Sequence, residues 1–111
     1  AKIGKLVLNN GNWDGIQIVP KKYLKSCLYP ANEVTEKDGS KNNRYGWQWW
    51  YAEKEGKQIH YARGLLGQYI IIIPEDDLII VRTGWKRKKL GKDGHPIDFW
   101  DYINITNHLI F

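Results

Sequence analysis

The hydroxyl, thiol and imidazole groups to test first for chemistry are Ser26, Ser40, Cys27, His60, His95 and His108. A serine nucleophile needs a base within hydrogen-bond reach. Neither serine has a lysine three residues on, where Tyr29 and Asn43 stand instead. Ser26 falls in an amphipathic run and Ser40 in a polar one, so both read as structural. Cys27 lies on the apolar side of its run with no histidine at a telling distance, where a thiol is usually inert packing. The histidines are far apart, and none pairs with another His, Cys or carboxylate at a metal-ligand interval. The residues therefore predict no catalytic group, no metal site and no cofactor. His60 is kept as a cleft candidate because it falls on a predicted strand just before a glycine turn, although a satisfied structural histidine is the simpler reading. Asn104-Ile105-Thr106 matches a glycosylation sequon but falls in a predicted packed helix, and is discounted.

The elements that would position such groups centre on the stretch from Tyr61 to Thr83, the most apolar part of the chain. Tyr69 to Ile73 and Leu78 to Val81 are β-branched runs of strand length, and Pro74-Glu75-Asp76-Asp77 supplies the turn of an antiparallel hairpin. Four consecutive isoleucines do not alternate with polar residues, which predicts strands covered on both faces. Upstream, Tyr45 to Tyr51 reads as a strand. Glu53 to Lys57 is a charged turn leading to a further strand, Gln58 to Arg63.

Around this sheet the spacing predicts helices. Ile3, Leu6 and Val7 form the apolar face of the first, which ends near Asn9-Asn10-Gly11. Gly11 to Gly15 is a turn-rich loop anchored by Trp13, and Ile16 to Val19 an extended connector. Pro20 opens a second helix with Tyr23, Leu24, Cys27 and Leu28 on one side and Lys21, Lys22 and Lys25 on the other. Ala31 to Arg44 is polar and reads as a mobile surface loop. Pro96 starts a last helix whose apolar series is Ile97, Trp100 and Ile103, with Ile105 and Leu109 beyond. The fold class is α+β: an antiparallel sheet of about four strands, near 45–52, 58–63, 68–74 and 78–83, flanked by helices.

The 111 residues suit one domain, 1–111, and six Trp and seven Tyr argue against disorder. No apolar run approaches the ~20 residues that cross a bilayer, so no membrane span is expected. One cysteine leaves the redox compartment open. The net charge of +5 does not by itself make nucleic acid an expected partner, since scattered Lys and Arg also serve solubility. The chain has no Met, and its opening residues already show helical spacing without an N-cap. They read as the interior of a helix in a piece cut from a longer protein.

Gly64-Leu65-Leu66-Gly67-Gln68-Tyr69, after Tyr61-Ala62-Arg63 and before the isoleucine hairpin, resembles the C-terminal region of the serine β-lactamase and penicillin-binding-protein-like hydrolases. Ala1 to Val19 is similar to that family's helix and turn before the final sheet, and Tyr45-Gly46-Trp47-Gln48-Trp49-Trp50 to its Tyr-Gly-x-Gly-Trp-Trp strand. The family works through a Ser-x-x-Lys helix, a Tyr-x-Asn or Ser-x-Asn element and a third, strand-borne Lys-Thr-Gly or His-x-Gly element. Ala62-Arg63-Gly64 falls where the third belongs, with Ala62 in place of Lys or His, which suits esterase, amidase or peptidase-like branches better than β-lactam specialists. Tyr102-Ile103-Asn104 matches the second in letters only, because it follows the third.

The resemblance implies a partial β-lactamase/transpeptidase-like fold, the C-terminal fragment of a larger catalytic domain. It carries cleft residues Ala62, Arg63, Gly64, Gly67, Gln68 and His60 but no nucleophile, and so should be inactive alone. It further implies an acyl or peptide-like small-molecule substrate for the parent, the missing N-terminal part as a partner, and a periplasmic or cell-envelope location. In the family N-terminal strands complete the sheet beside the final strand, so strand 78–83 should be left as an apolar edge, open to self-association. The competing reading is a binding module in which Trp85 and the basic loop 84–94 recognise nucleic acid or an acidic glycan.

Overall fold

The structure, a computed structural model, describes residues 1–30, 34–35, 37–39, 41–42, 44–86 and 88–109. Helix α1 spans Lys2–Leu8 and is followed by a two-stranded ribbon, β1 Asn12–Trp13 and β2 Ile16–Gln17. Asp14 and Gly15 turn the ribbon with φ of 50° and 84°, the left-handed pair that a two-residue hairpin requires. The expected connector is thus half strand. Helix α2, Lys21–Leu28, begins after Pro20 as its spacing predicted and buries Leu24, Cys27 and Leu28. Within the predicted loop 31–44 the chain forms a second ribbon, β3 Val34–Thr35 with β4 Lys41–Asn42. Residues 31–33, 36, 40 and 43 of that loop lie outside the described residues.

The main sheet has the strand order β5-β6-β7-β8: Trp50–Lys54, Lys57–Gly64, Gln68–Ile73 and Leu78–Arg82. All neighbours are antiparallel, so the α+β architecture expected from the sequence is present. Glu55 and Gly56 make the first turn with φ of 52° and 78°. Pro74–Asp76 makes the last as one 3₁₀ turn closed by left-handed Asp77.

One expectation fails at the first strand. Residues 45–49 are not extended. Gly46 N donates to Trp49 O at 2.7 Å, Trp47 N to Cys27 O at 3.0 Å, and Gln48 takes φ 67°. The backbone of Tyr45 pairs with Trp50 as an isolated bridge rather than as part of the strand. Gly46 is what permits this fold-back, because a β-carbon there would strike the Cys27 carbonyl.

Both faces of the sheet are covered. Helix α3, Ile97–Leu109, lays Phe99 and Ile103 on Ile59, Tyr61, Tyr69, Ile71 and Ile73. On the other face Val7, Leu24 and Leu28 from α1 and α2 enclose Ile72. The helix faces are rotated from those predicted. Gly4 and Val7 of α1 are buried while Ile3 is exposed, because Gly4 lets α1 descend onto Ile79 and Ile70. In α3, Phe99 is buried and Ile97 and Ile105 are exposed. Among the described residues no helix is long and apolar enough to cross a membrane.

Candidate functional site

The uncovered part of the sheet is the end of β6, β7 and β8 that α1 and α2 do not reach. An open cleft of about 470 Å³ lies there, lined by Gln48, Ala62, Arg63, Gly64, Gln68, Tyr69, Ile70, Val81, Arg82 and Thr83. The pairing register builds its floor: Ala62 lies opposite Ile70, Ile70 opposite Val81, and Gly64 opposite Gln68. Side chains on one face of a strand recur every second residue, so Ala62 and Gly64 present one small group and one absent group to the same hollow. Gly64 is extended, with φ −111°, a conformation any residue adopts. Its part is to add no volume, since a β-carbon there would touch only Gln68.

The polar groups at the rim are held by the protein itself. Gln68 clamps Gly84 from both sides, Nε2 donating to its carbonyl at 2.5 Å and Oε1 accepting from its N–H at 3.2 Å. Arg82 donates through Nη1 to Gly67 O at 2.6 Å and lies near the rings of Tyr69 and Tyr102. Its guanidinium occupies a seat between Gly67 and Gly84, where a β-carbon on either glycine would collide with it. Gly67 also takes φ 83°, after Leu66 at φ 62°. This left-handed pair carries the chain from β6 into β7 and leaves Leu65 and Leu66 exposed.

Of the six candidate residues, the structure brings Ala62, Arg63, Gly64 and Gln68 to the cleft and puts Gly67 behind it, under Arg82. The Arg63 guanidinium sits 3.5 Å from the centroid of the Trp50 ring and donates to Gly94 O, 3.4 Å away. His60 is elsewhere. It is 1% exposed, its Nδ1 is 3.1 Å from Leu28 O, and it lines a second hollow of about 290 Å³ with Val7, Leu24 and Ile72. Burial holds its pKa below the ordinary histidine value.

A second buried histidine, His95, has Nδ1 2.5 Å from the Tyr61 hydroxyl. Burial lowers its pKa and raises that of Tyr61. Tyr69 donates to buried Asp98 at 3.0 Å. These contacts tie α3 to the sheet. Tyr102-Ile103-Asn104 lies in α3 with Ile103 in the core and Asn104 bonded to Lys54. Among the described residues no three His, Cys, Asp or Glu are grouped to hold a metal ion.

Gln48, Val81 and Thr83 were missed in the sequence. For Val81 and Thr83 the signal was available, because fixing the Pro74–Asp77 turn fixes the β7–β8 register and carries both beside Ile70. Gln48 had none, since it enters only through the fold-back of 45–49. Compared with models of known protein families and with curated proteins, the chain matches none.

Proposed function

We propose that the chain is the C-terminal portion of a β-lactamase-related serine hydrolase, supplying the sheet and the third active-site element to a nucleophile carried upstream. One observation carries the reading: the segment resembling that third element, Ala62-Arg63-Gly64, borders the open cleft at the end of the sheet. In the longer protein a serine Oγ attacks the substrate carbonyl, and the tetrahedral oxyanion rests on backbone N–H groups, one of them near Gly64. The alcohol or amine leaves, and water then hydrolyses the acyl-serine. The substrate class is an ester, amide or peptide-like acyl compound, and the cell envelope or periplasm is the setting the resemblance suggests.

Residues 1–111 alone should neither hydrolyse an aryl ester or chromogenic β-lactam nor take up a fluorophosphonate or penicillin probe. The chain extended by its upstream coding sequence should be labelled once, at the serine of a Ser-x-x-Lys. An extended chain that stays unlabelled would end this reading.

One observation favours a second reading, a module for nucleic acid or acidic glycan. Trp85 is 89% exposed, and Lys86, Lys88 and Lys89 beside it are exposed too. Salt-sensitive binding of heparin or an oligonucleotide, lost in Trp85→Ala, would support it. The absence of binding at low salt would remove it.

A further inference from the structure

The hollow beside His60 shares no lining residue with the cleft. One wall is a single side of α2, where Lys21, Leu24, Lys25 and Leu28 recur at threes and fours and so turn the same way. Leu24 and Leu28 are buried and lie against Ile72, whereas Lys21 and Lys25 are exposed at the same border. The two lysines stand one helical turn apart, close enough for both ammonium groups to meet one anion. Among the described residues no acidic side chain lines the hollow, and neither lysine has an ion-pair partner.

The buried end belongs to His60. The Leu28 carbonyl can only accept, so Nδ1 carries the proton and donates to it, and burial keeps the ring neutral. Nε2 is then a lone-pair acceptor, and among the described residues nothing donates to it. Every buried side-chain nitrogen and oxygen among those residues has a hydrogen-bond partner, so a ring nitrogen without one borders open space. The open space that His60 lines is this hollow. An acceptor set in an apolar recess favours a ligand that brings its own donor. We propose that the hollow binds a small amphiphilic anion, with a hydroxyl at one end donating to His60 Nε2, an apolar body against Leu24, Leu28 and Ile72, and a carboxylate at the other end between Lys21 and Lys25. Its volume of about 290 Å³ suits a ligand of one ring, at the small end of the ~300–1,000 Å³ that binding pockets span.

Residues 1–111 titrated with para-hydroxyphenylacetate and followed by NMR should show saturable shifts of the His60 ring protons and of the Leu24 and Ile72 methyls. Phenylacetate, which lacks the hydroxyl, should bind about tenfold more weakly, because Nε2 is desolvated without a donor. The uncharged para-hydroxyphenylethanol should bind about fivefold more weakly than the acid. The double variant Lys21→Ala, Lys25→Ala changes two exposed positions, and circular dichroism checks that it folds. It should lose about fivefold for the acid and nothing for the alcohol. That split separates a charge contact at the mouth from general damage to the hollow. No saturable shift at millimolar acid would overturn the proposal. Equal affinity for phenylacetate, shifts confined to cleft residues such as Val81, or a double variant that loses acid and alcohol alike would overturn it as well.

Discussion

The two faces of the sheet are packed by different means. Under α3, aromatic rings and polar groups are locked together: Phe99 stacks 4.1 Å from Tyr61, His95 meets the Tyr61 hydroxyl, and Asp98 meets that of Tyr69. Under α1 and α2 the fully buried contacts to Ile72 are aliphatic, with Tyr29, Trp49 and His60 around them. The first face is closed over Tyr61, Ile71 and Phe99, and among the described residues no buried side-chain nitrogen or oxygen lacks a hydrogen-bond partner. The second is closed over Ile72 but opens over Ile70 and Ala62, and the cleft lies there. Rigidity and access are thus divided between the faces. A strand covered on one side by a fixed aromatic layer can leave its other side bare at one end.

Substitutions can test that division. Phe99→Ala should cause the largest loss, ~3–5 kcal/mol, because a buried ring in contact with three others leaves a cavity that the rigid layer cannot collapse into. Urea titration followed by tryptophan fluorescence would measure it. Ile72→Ala on the other face should cost somewhat less, ~2–4 kcal/mol, since a smaller side chain is removed from its contacts with Val7, Leu24 and Leu28. Equal losses would erase the contrast. Tyr69→Phe should cost ~1–3 kcal/mol by leaving the Asp98 carboxyl without its hydroxyl donor, and Asp98→Asn should cost less because an amide oxygen still accepts from Tyr69.

The histidines extend the comparison to pH. Burial lowers the pKa of both His60 and His95 in the folded state, from an ordinary 6.5. Below that value the unfolded chain binds protons that the folded chain resists, so stability should fall as pH drops through about 6.5 toward the lowered folded values. Melting temperature measured across this range should show the decline, and His60→Gln should flatten part of it. The smallest effects belong to the cleft. Thr83→Ala should change stability by no more than ~0.5 kcal/mol, since Thr83 is exposed at the rim. A large loss there would mean that the cleft is structural.

The hairpin Gln68–Arg82 was legible because strand propensity, turn chemistry and burial agree in it. The isoleucine run could not alternate, and the sheet is indeed covered twice. The segment 45–49 misled for a physical reason. Its Tyr and Trp residues favour strands, but the carbonyl of Cys27 captures Trp47 N and Gln48 accepts a left-handed backbone, and both are decided by packing far away in sequence. Helix faces were legible only to within a rotation: Gly4 outranks Ile3 because close approach to Ile79 needs an absent side chain, which apolar spacing does not register. In the cleft, Ala62, Gly64 and Gln68 could be read from one strand–turn–strand segment. Gln48 required the tertiary fold, and the face to which His60 turns required the strand register.

The seat of Arg82 between Gly67 and Gly84 has a mutational consequence. Any larger residue at either glycine evicts the guanidinium, and a shorter residue at position 82 leaves the Gly67 carbonyl without its donor. The three atoms nearest a β-carbon at position 84 all belong to Arg82, whereas at position 67 the Lys86 carbonyl and the positive φ stand in the way as well. A substitution at position 84 and one at position 82 therefore act on the same contact, and each changes what the other costs.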